Sequence, residues 1–204
     1  MVTLAVADCT GHGVPGALMS MLGVSMLNEI VSKDVPQNAA SVLNKLRDSL
    51  IEALHQTGKA KEAKDGIDMS LAIFDFDNLK LHFAGAYNPI YITRSTPATN
   101  ETSLFELKAD RMPIGIYYKE TAPFRSRIFD LKKGDMVYLF TDGYTDQFGS
   151  SSGRKFLSGN FKRLLTDIHQ QSAEMQKQSL IDQFYNWKGD YEQVDDVLVV
   201  GVRI

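Results

Sequence analysis

The chain predicts an α+β fold in which antiparallel sheets carry helices on their outer faces. Three observations predict it: two helical patterns come first, a block of period-two strands follows, and two further helical patterns precede one last strand. The change of period falls at Ile67, where MSLAIFDFD, LKLHFAGAY and PIYITR replace helical spacing. With 204 residues, 44% hydrophobic and 23% charged, residues 1–204 suit one globular domain with a sizeable core.

Val2 to Ala7 is a continuous apolar run, as expected of a strand covered on both faces, and it ends at Asp8. Pro15 suits a first helical turn, and apolar residues then recur on nearly every face through Val31, which predicts a helix buried from more than one side. After Asp34-Val35-Pro36 a second helix puts Ala40, Leu43, Leu46, Leu50, Ile51 and Leu54 on one face. GKAKEAKDG reads as a solvated connection. The three strands from Ile67 read as an antiparallel meander, with a hairpin turn at Asp77-Asn78 and a corner from Gly85 to Pro89. A polar loop spans Ser95 to Ser103, and short strands are expected at 104–107, 126–131 and 136–141, the last after the turn Lys132-Lys133-Gly134-Asp135. Helices are expected at 157–169 and 172–188 and a final strand at 197–204.

Composition excludes several classes of function. The net charge is −3, and Lys59/Lys61/Lys64 and Lys132/Lys133 lie among acids or turn residues, so no basic face for nucleic acid is expected. Cys9 is the only cysteine, which rules out an intramolecular disulfide and fits a reducing compartment. The apolar stretch Val14 to Leu27 falls short of the roughly 20 residues of a bilayer span, and no basic residue precedes the first apolar run as in a signal peptide. These features place the protein in the cytoplasm with no membrane contact. The chain opens directly on a strand, which predicts a domain lacking its N-terminal strands.

The loop DCTGHGVPG contains G-x-G-x-x-G between a strand and a helix, yet a dinucleotide site fails on context. The helix runs into another helix rather than a second strand, and Asp8 would repel a pyrophosphate. Cysteine-phosphatase chemistry fails because Pro15 stands where an arginine is needed. Asp75-Phe76-Asp77 follows an apolar strand like a phosphotransferase D-x-D, but it leads into another strand, so both acids read as hairpin residues. What remains is a constellation. Asp8 ends one strand, Asp142 in YLFTDGYTD ends another, and Asp195-Asp196 in QVDDVLVVGV opens a third. Acids at three strand ends can converge only around a cation, and their hard oxygen atoms suit Mg²⁺ or Mn²⁺; the four histidines are too scattered for zinc. Each Asp alone would merely punctuate a strand.

In order, VADCTGHGVPGALMSM, DGIDMSLAIFDF, LHFAGAYNPIYI, RMPIGIY, KKGDMVYLFTDGYTDQ and VDDVLVVGV resemble the SpoIIE/RsbU branch of the metal-dependent protein serine/threonine phosphatases. The resemblance implies an α-β-β-α sandwich of two antiparallel sheets flanked by helix pairs. It implies hydrolysis of phosphoserine or phosphothreonine by a metal-bridged hydroxide, typically on a STAS-type anti-anti-sigma protein. Carried over, Asp8 would bridge two Mn²⁺ or Mg²⁺ ions, the Cys9 carbonyl would ligate one, and Asp142 with one of the pair, Asp195 ahead of Asp196, would complete the other. His12 is either the acid for the leaving oxygen or a loop histidine bonded to backbone; Asp146 either supports a metal-bound water or is a solvated loop acid. The branch also carries an upstream acidic segment that is absent here, so a catalytically weak phosphatase-like binding module is the alternative. The family further implies an N-terminal sensory or regulatory domain and leaves a homodimer open.

Overall fold

The structure is a computed structural model that describes residues 1–11, 13–33, 38–57, 65–96, 101–117, 122–150 and 153–204. In chain order the elements are β1 (Val2–Cys9), α1 (Gly13–Lys33), α2 (Ala39–Ala53), β2 (Gly66–Asp75), β3 (Lys80–Ala86), β4 (Ile90–Thr96), β5 (Glu101–Leu107), β6 (Ile114–Gly115), β7 (Arg127–Asp130) and β8 (Met136–Phe140). They continue with α3 (Gly143–Asp146), β9 (Phe148–Gly149), β10 (Arg154–Lys155), α4 (Leu157–Ile168), α5 (Ala173–Lys188) and β11 (Val199–Arg203). The mixed helix and antiparallel-sheet class matches the expectation. The chain forms two compact units, Met1–Pro89 with Leu107–Leu131 and Ile90–Glu106 with Lys132–Ile204. The connection GKAKEAKDG, with Lys59, Lys61 and Lys64, lies largely outside the described residues.

The first unit is a sheet in the order β1-β2-β3-β7, with β6 pairing β2, packed against α1 and α2. Asn38 starts α2 by accepting the Ala40 amide at 2.9 Å, and Leu43, Leu46 and Leu50 recur on one face because 3.6-residue periodicity lines them up. They meet Leu71 and Ile73 of β2 in one core. The β2–β3 turn is closed by Asp75, whose carboxylate accepts the amides of Asp77 and Asn78 at 3.2 and 3.0 Å and the Asn78 side chain at 2.8 Å. The Asn78 side-chain amide in particular holds that carboxyl below its usual range. The D-x-D sequence is thus a hairpin device, as its context predicted.

Helix α1 departs from expectation. Met19, Leu22, Met26, Leu27, Ile30 and Val31 enter the core, but Val14, Leu18, Met21 and Val24 are exposed. It lies beside α2 and over β1, the edge strand, so nothing described in its own unit covers its far side. Residues Gly13–Ser32 are long and apolar enough to cross a membrane by length and composition, beyond what the shorter stretch Val14 to Leu27 allowed. Core helices share that property, and one face of this helix is packed on protein.

The second unit is a sheet in the order β11-β8-β4-β5, covered by α4 and α5 around an aromatic core of Tyr91, Phe140, Tyr144, Phe156, Phe161 and Phe184. The expected three-strand meander is therefore wrong in its last member. β4 does not pair with β3; it pairs with β8 from Ile90↔Leu139 to Thr93↔Met136. The reason is the corner Tyr87-Asn88-Pro89, where Tyr87 adopts φ 57° and turns the chain out of the first sheet. Buried Asp135 then fixes the β4–β8 end, holding Arg94 Nε and Nη2 at 2.8 and 2.7 Å while accepting the Lys132 amide at 2.8 Å.

Candidate metal centre

In the second unit, β8 delivers Asp142 and β11 delivers Asp195-Asp196 to the same end of one strand pair. The ladder Phe140↔Val199 is extended by Thr141, whose amide donates to the Leu198 carbonyl at 3.0 Å. The Thr141 hydroxyl donates to the Asp196 carbonyl at 3.0 Å and accepts the Leu198 amide at 3.1 Å. Gly143 permits the close approach, since a Cβ there would lie 2.3 Å from the Asp196 carbonyl oxygen and 3.3 Å from Asp195 Cβ. Gly143→Ala is therefore expected to push the 195–196 segment away and cost about 1–3 kcal/mol in chemical denaturation, the range for overpacked sites. A loss below about 0.5 kcal/mol would mean the contact is soft.

The charges at this strand end repel one another. Burial raises the Asp142 carboxyl above the ordinary aspartate range, and the carboxylates of Asp146 and Asp195 raise it further, with Lys155 partly offsetting them. Asp146 itself pairs with Lys155 Nζ at 2.6 Å. Asp195 Oδ1 accepts the Asp196 amide at 2.8 Å, which fixes the side chain of the first of the two acids. Behind them Gln147, fully buried, donates Nε2 to the Glu192 carbonyl at 2.8 Å and accepts the Val194 amide, tethering the segment that leads into Asp195. Sequence reasoning passed over Thr141, Gln147 and Lys155. Their roles depend on partners 9 to 57 residues away, and no local pattern signals them.

In the first unit, Asp8 stands one residue before the end of β1, directly opposite Asp68 of β2, and Cys9 faces Ile67. Directly opposed residues share a face, so two carboxylates lie on the same side of the sheet, a repulsive pairing when nothing offsets it. Asp68 did not stand out in the sequence, where its opposite number cannot be seen. The Thr10 amide donates to the Gly66 carbonyl at 3.0 Å, which sets the ladder's parity. Even-numbered residues of β1 turn their backbone groups to β2, and the carbonyl of Cys9 therefore points away from it, toward the open edge. The Cys9 thiol packs toward the helices, and burial pushes its pKa up, so it is no activated nucleophile. The glycine pattern after it serves the turn: Gly11 has φ 95°, and a Cβ on Gly16 would stand 2.6 Å from the Gly11 carbonyl oxygen. His12 lies outside the described residues.

Within the second unit, then, Asp142, Asp146 and Asp195 come together, with Asp196 contributing backbone; Asp8 and Cys9 lie at the end of β1 in the first unit. The carboxylate oxygen atoms gathered in the second unit are donors of the kind that hard divalent cations take.

The family model described as "Stage II sporulation protein E (SpoIIE)" matches residues 1–204. The chain is 24% identical over 207 residues to the phosphoserine phosphatase RsbU of Bacillus subtilis, a match covering 99% of this chain and 55% of RsbU, about half its length. Its structure resembles the SiaA-PP2C domain of Pseudomonas aeruginosa with a TM-score of 0.86 and 28% identity, covering 99% of this chain and 75% of that one. It also shares the fold of the catalytic domain of the serine/threonine phosphatase PstP, solved with two manganese ions, at a TM-score of 0.60 and 16% identity, covering 98% and 86% of the two chains. With the match running the whole length of the chain, the protein belongs to the SpoIIE family.

Proposed function

We propose that this chain is a metal-dependent phosphatase acting in the cytoplasm on phosphoserine or phosphothreonine of a protein, of the STAS type, in a partner-switching circuit. Asp8 joins Asp142 and Asp195 in holding two Mn²⁺ or Mg²⁺ ions, with the Cys9 carbonyl as a further ligand and Asp196 behind Asp195. The observation that carries this reading is the crowding of Asp142, Asp146 and Asp195 at one strand end, where Gly143 lets the 195–196 segment close in: acids massed at a cost in repulsion make a site that a cation would relieve. The PstP domain with its two manganese ions supports the choice of metal.

Two ions bound there would acidify a water toward neutral pH, making it available as nucleophile, and would offset charge on the phosphoryl oxygens. The chain's own residues do the rest. Thr141, Gln147 and Gly143 hold the acids in place, and Asp146, steered by Lys155, accepts a hydrogen bond from water at the edge of the site. His12 supplies the proton to the departing seryl oxygen. Because RsbU is almost twice as long as this chain, a regulatory domain N-terminal to it belongs to the same reading, as does a homodimer.

The test uses the purified chain with Mn²⁺. Calorimetric Mn²⁺ binding and Mn²⁺-dependent turnover of a phosphoserine peptide, both lost with EDTA, are expected. Binding without turnover would point to the non-catalytic module, and no binding at all would overturn the metal reading.

A further inference from the structure

We propose that Tyr87, Arg125 and Arg127, assembled around Asp110, form a docking site for an acidic segment of the phosphoprotein substrate; the inference rests on phosphoserine hydrolysis at Asp8. Asp110 is 5% exposed and acts as the node. Its carboxylate accepts Arg125 Nε at 2.7 Å, Nη2 at 2.6 Å and the Arg125 backbone amide at 2.8 Å, and Arg127 Nη2 stands 4.0 Å away. Its backbone carbonyl accepts the Tyr87 amide at 2.9 Å, and its own amide donates to Gly85 at 2.9 Å.

This node presents groups that the fold alone does not need outside. The Arg125 side chain is 72% exposed although two of its nitrogens are fixed, leaving Nη1 for a ligand. A guanidinium pinned in this way loses little freedom when it binds a carboxylate. Tyr87 is 41% exposed and sits at φ 57° in a three-residue turn closed by the Asn88 amide on the Ala86 carbonyl at 2.7 Å. A non-glycine residue in that turn is strained, and strain of this kind gathers where a side chain must be aimed. Lys108 and Arg111, both exposed, flank Asp110 in the chain, so two further cations lie within two residues of the carboxylate that Arg125 and Arg127 approach, while the protein as a whole carries a net charge of −3. A local positive patch on an acidic protein selects an acidic partner rather than nucleic acid.

Position ties the patch to the proposed reaction. Ala7, Met69, Ala86 and Asp110 lie in one row across the sheet, and Asp8 follows Ala7. Three inter-strand steps separate the row's ends by about 14 Å, and an extended peptide covers that in about four to five residues. Asp8 projects from the face opposite that row, so the peptide must also round the sheet end, and glutamates about five to eight residues from the phosphoserine would reach Arg125.

The probe is a phosphoserine peptide with Glu at those positions on both sides, compared with one carrying Gln there. Binding is read by fluorescence anisotropy in EDTA, where nothing turns over, and hydrolysis with Mn²⁺. The Glu peptide is expected to bind about fivefold more tightly, the scale of an exposed ion pair, with the difference shrinking at high salt. In hydrolysis the preference should lie in KM and not in kcat. Arg125→Gln should erase it, and Arg111→Gln, which breaks no bond to Asp110, should weaken it with the fold intact. Equal binding of the two peptides by the unaltered protein, or a preference that survives both substitutions, overturns the proposal. Turnover of p-nitrophenyl phosphate by the unaltered protein, a substrate too small to reach Arg125, reports the phosphatase reading separately.

Discussion

Asp142→Asn is expected to lower Mn²⁺-dependent turnover by more than about 100-fold, since even residues that only support a metal ligand cost 10–100-fold when replaced. The amide keeps the shape of the carboxylate and removes the charge that a cation needs. The same substitution is expected to stabilise the metal-free protein at neutral pH. Burial, then Asp146 and Asp195, raise the Asp142 carboxyl in the folded chain, so its ionisation opposes folding. A raised folded value means that this group's favourable contribution is complete below its unfolded value near pH 4 and is lost as pH rises through the folded one. Asparagine has no such loss. In EDTA the variant should therefore melt above the parent at pH 7, and the two should converge as the pH falls toward 4.

Adding Mn²⁺ should reverse that order. Ligand binding stabilises the native state by about 2.7 kcal/mol at a hundred times Kd, a gain open to the parent and largely closed to the variant. Melting curves with EDTA and with Mn²⁺, at pH 7 and pH 4.5, check all of this. A variant that keeps the parent's Mn²⁺ shift, or turns over substrate within tenfold of it, would remove Asp142 from the centre.

The parts of this protein that were legible in its sequence are those governed by local chemistry. A proline in a first helical turn and Asp75 closing a hairpin depend on near neighbours, and each stands where the pattern put it, whereas Asp195-Asp196, expected to open the last strand, precede β11, which begins at Val199. The change of sheet at β4 was not legible because alternation announces a strand without naming its partner. Nor was the open face of α1: an all-round apolar pattern cannot tell a surface that is packed from one that an edge strand leaves uncovered. Asp68 opposite Asp8, Gln147 beneath Val194 and Asp110 beneath Arg125 are long-range pairings, and each looks in sequence like an ordinary polar residue.

Phe161→Ala is expected to cost about 3–5 kcal/mol, because a truncated buried phenyl ring forfeits its transfer free energy and leaves a cavity behind. Phe161 is fully buried at the centre of the second unit's aromatic core. Its ring centroid lies 5.0 Å from Phe140 and 4.8 Å from Tyr144, the residues two before and two after Asp142. Tyr144 is pinned from the other side by its hydroxyl, which donates to the Leu180 carbonyl at 2.8 Å. The ring is thus the packing that keeps β8 and α3 in register around Asp142. Urea unfolding should show the loss, and Phe161→Leu, which refills most of the space, should recover more than half of it. Mn²⁺ affinity should fall with Phe161→Ala and return with Phe161→Leu. A truncation costing less than about 1 kcal/mol would mean the core closes over the gap, and Asp142 would then have to be held by its hydrogen-bonded neighbours alone.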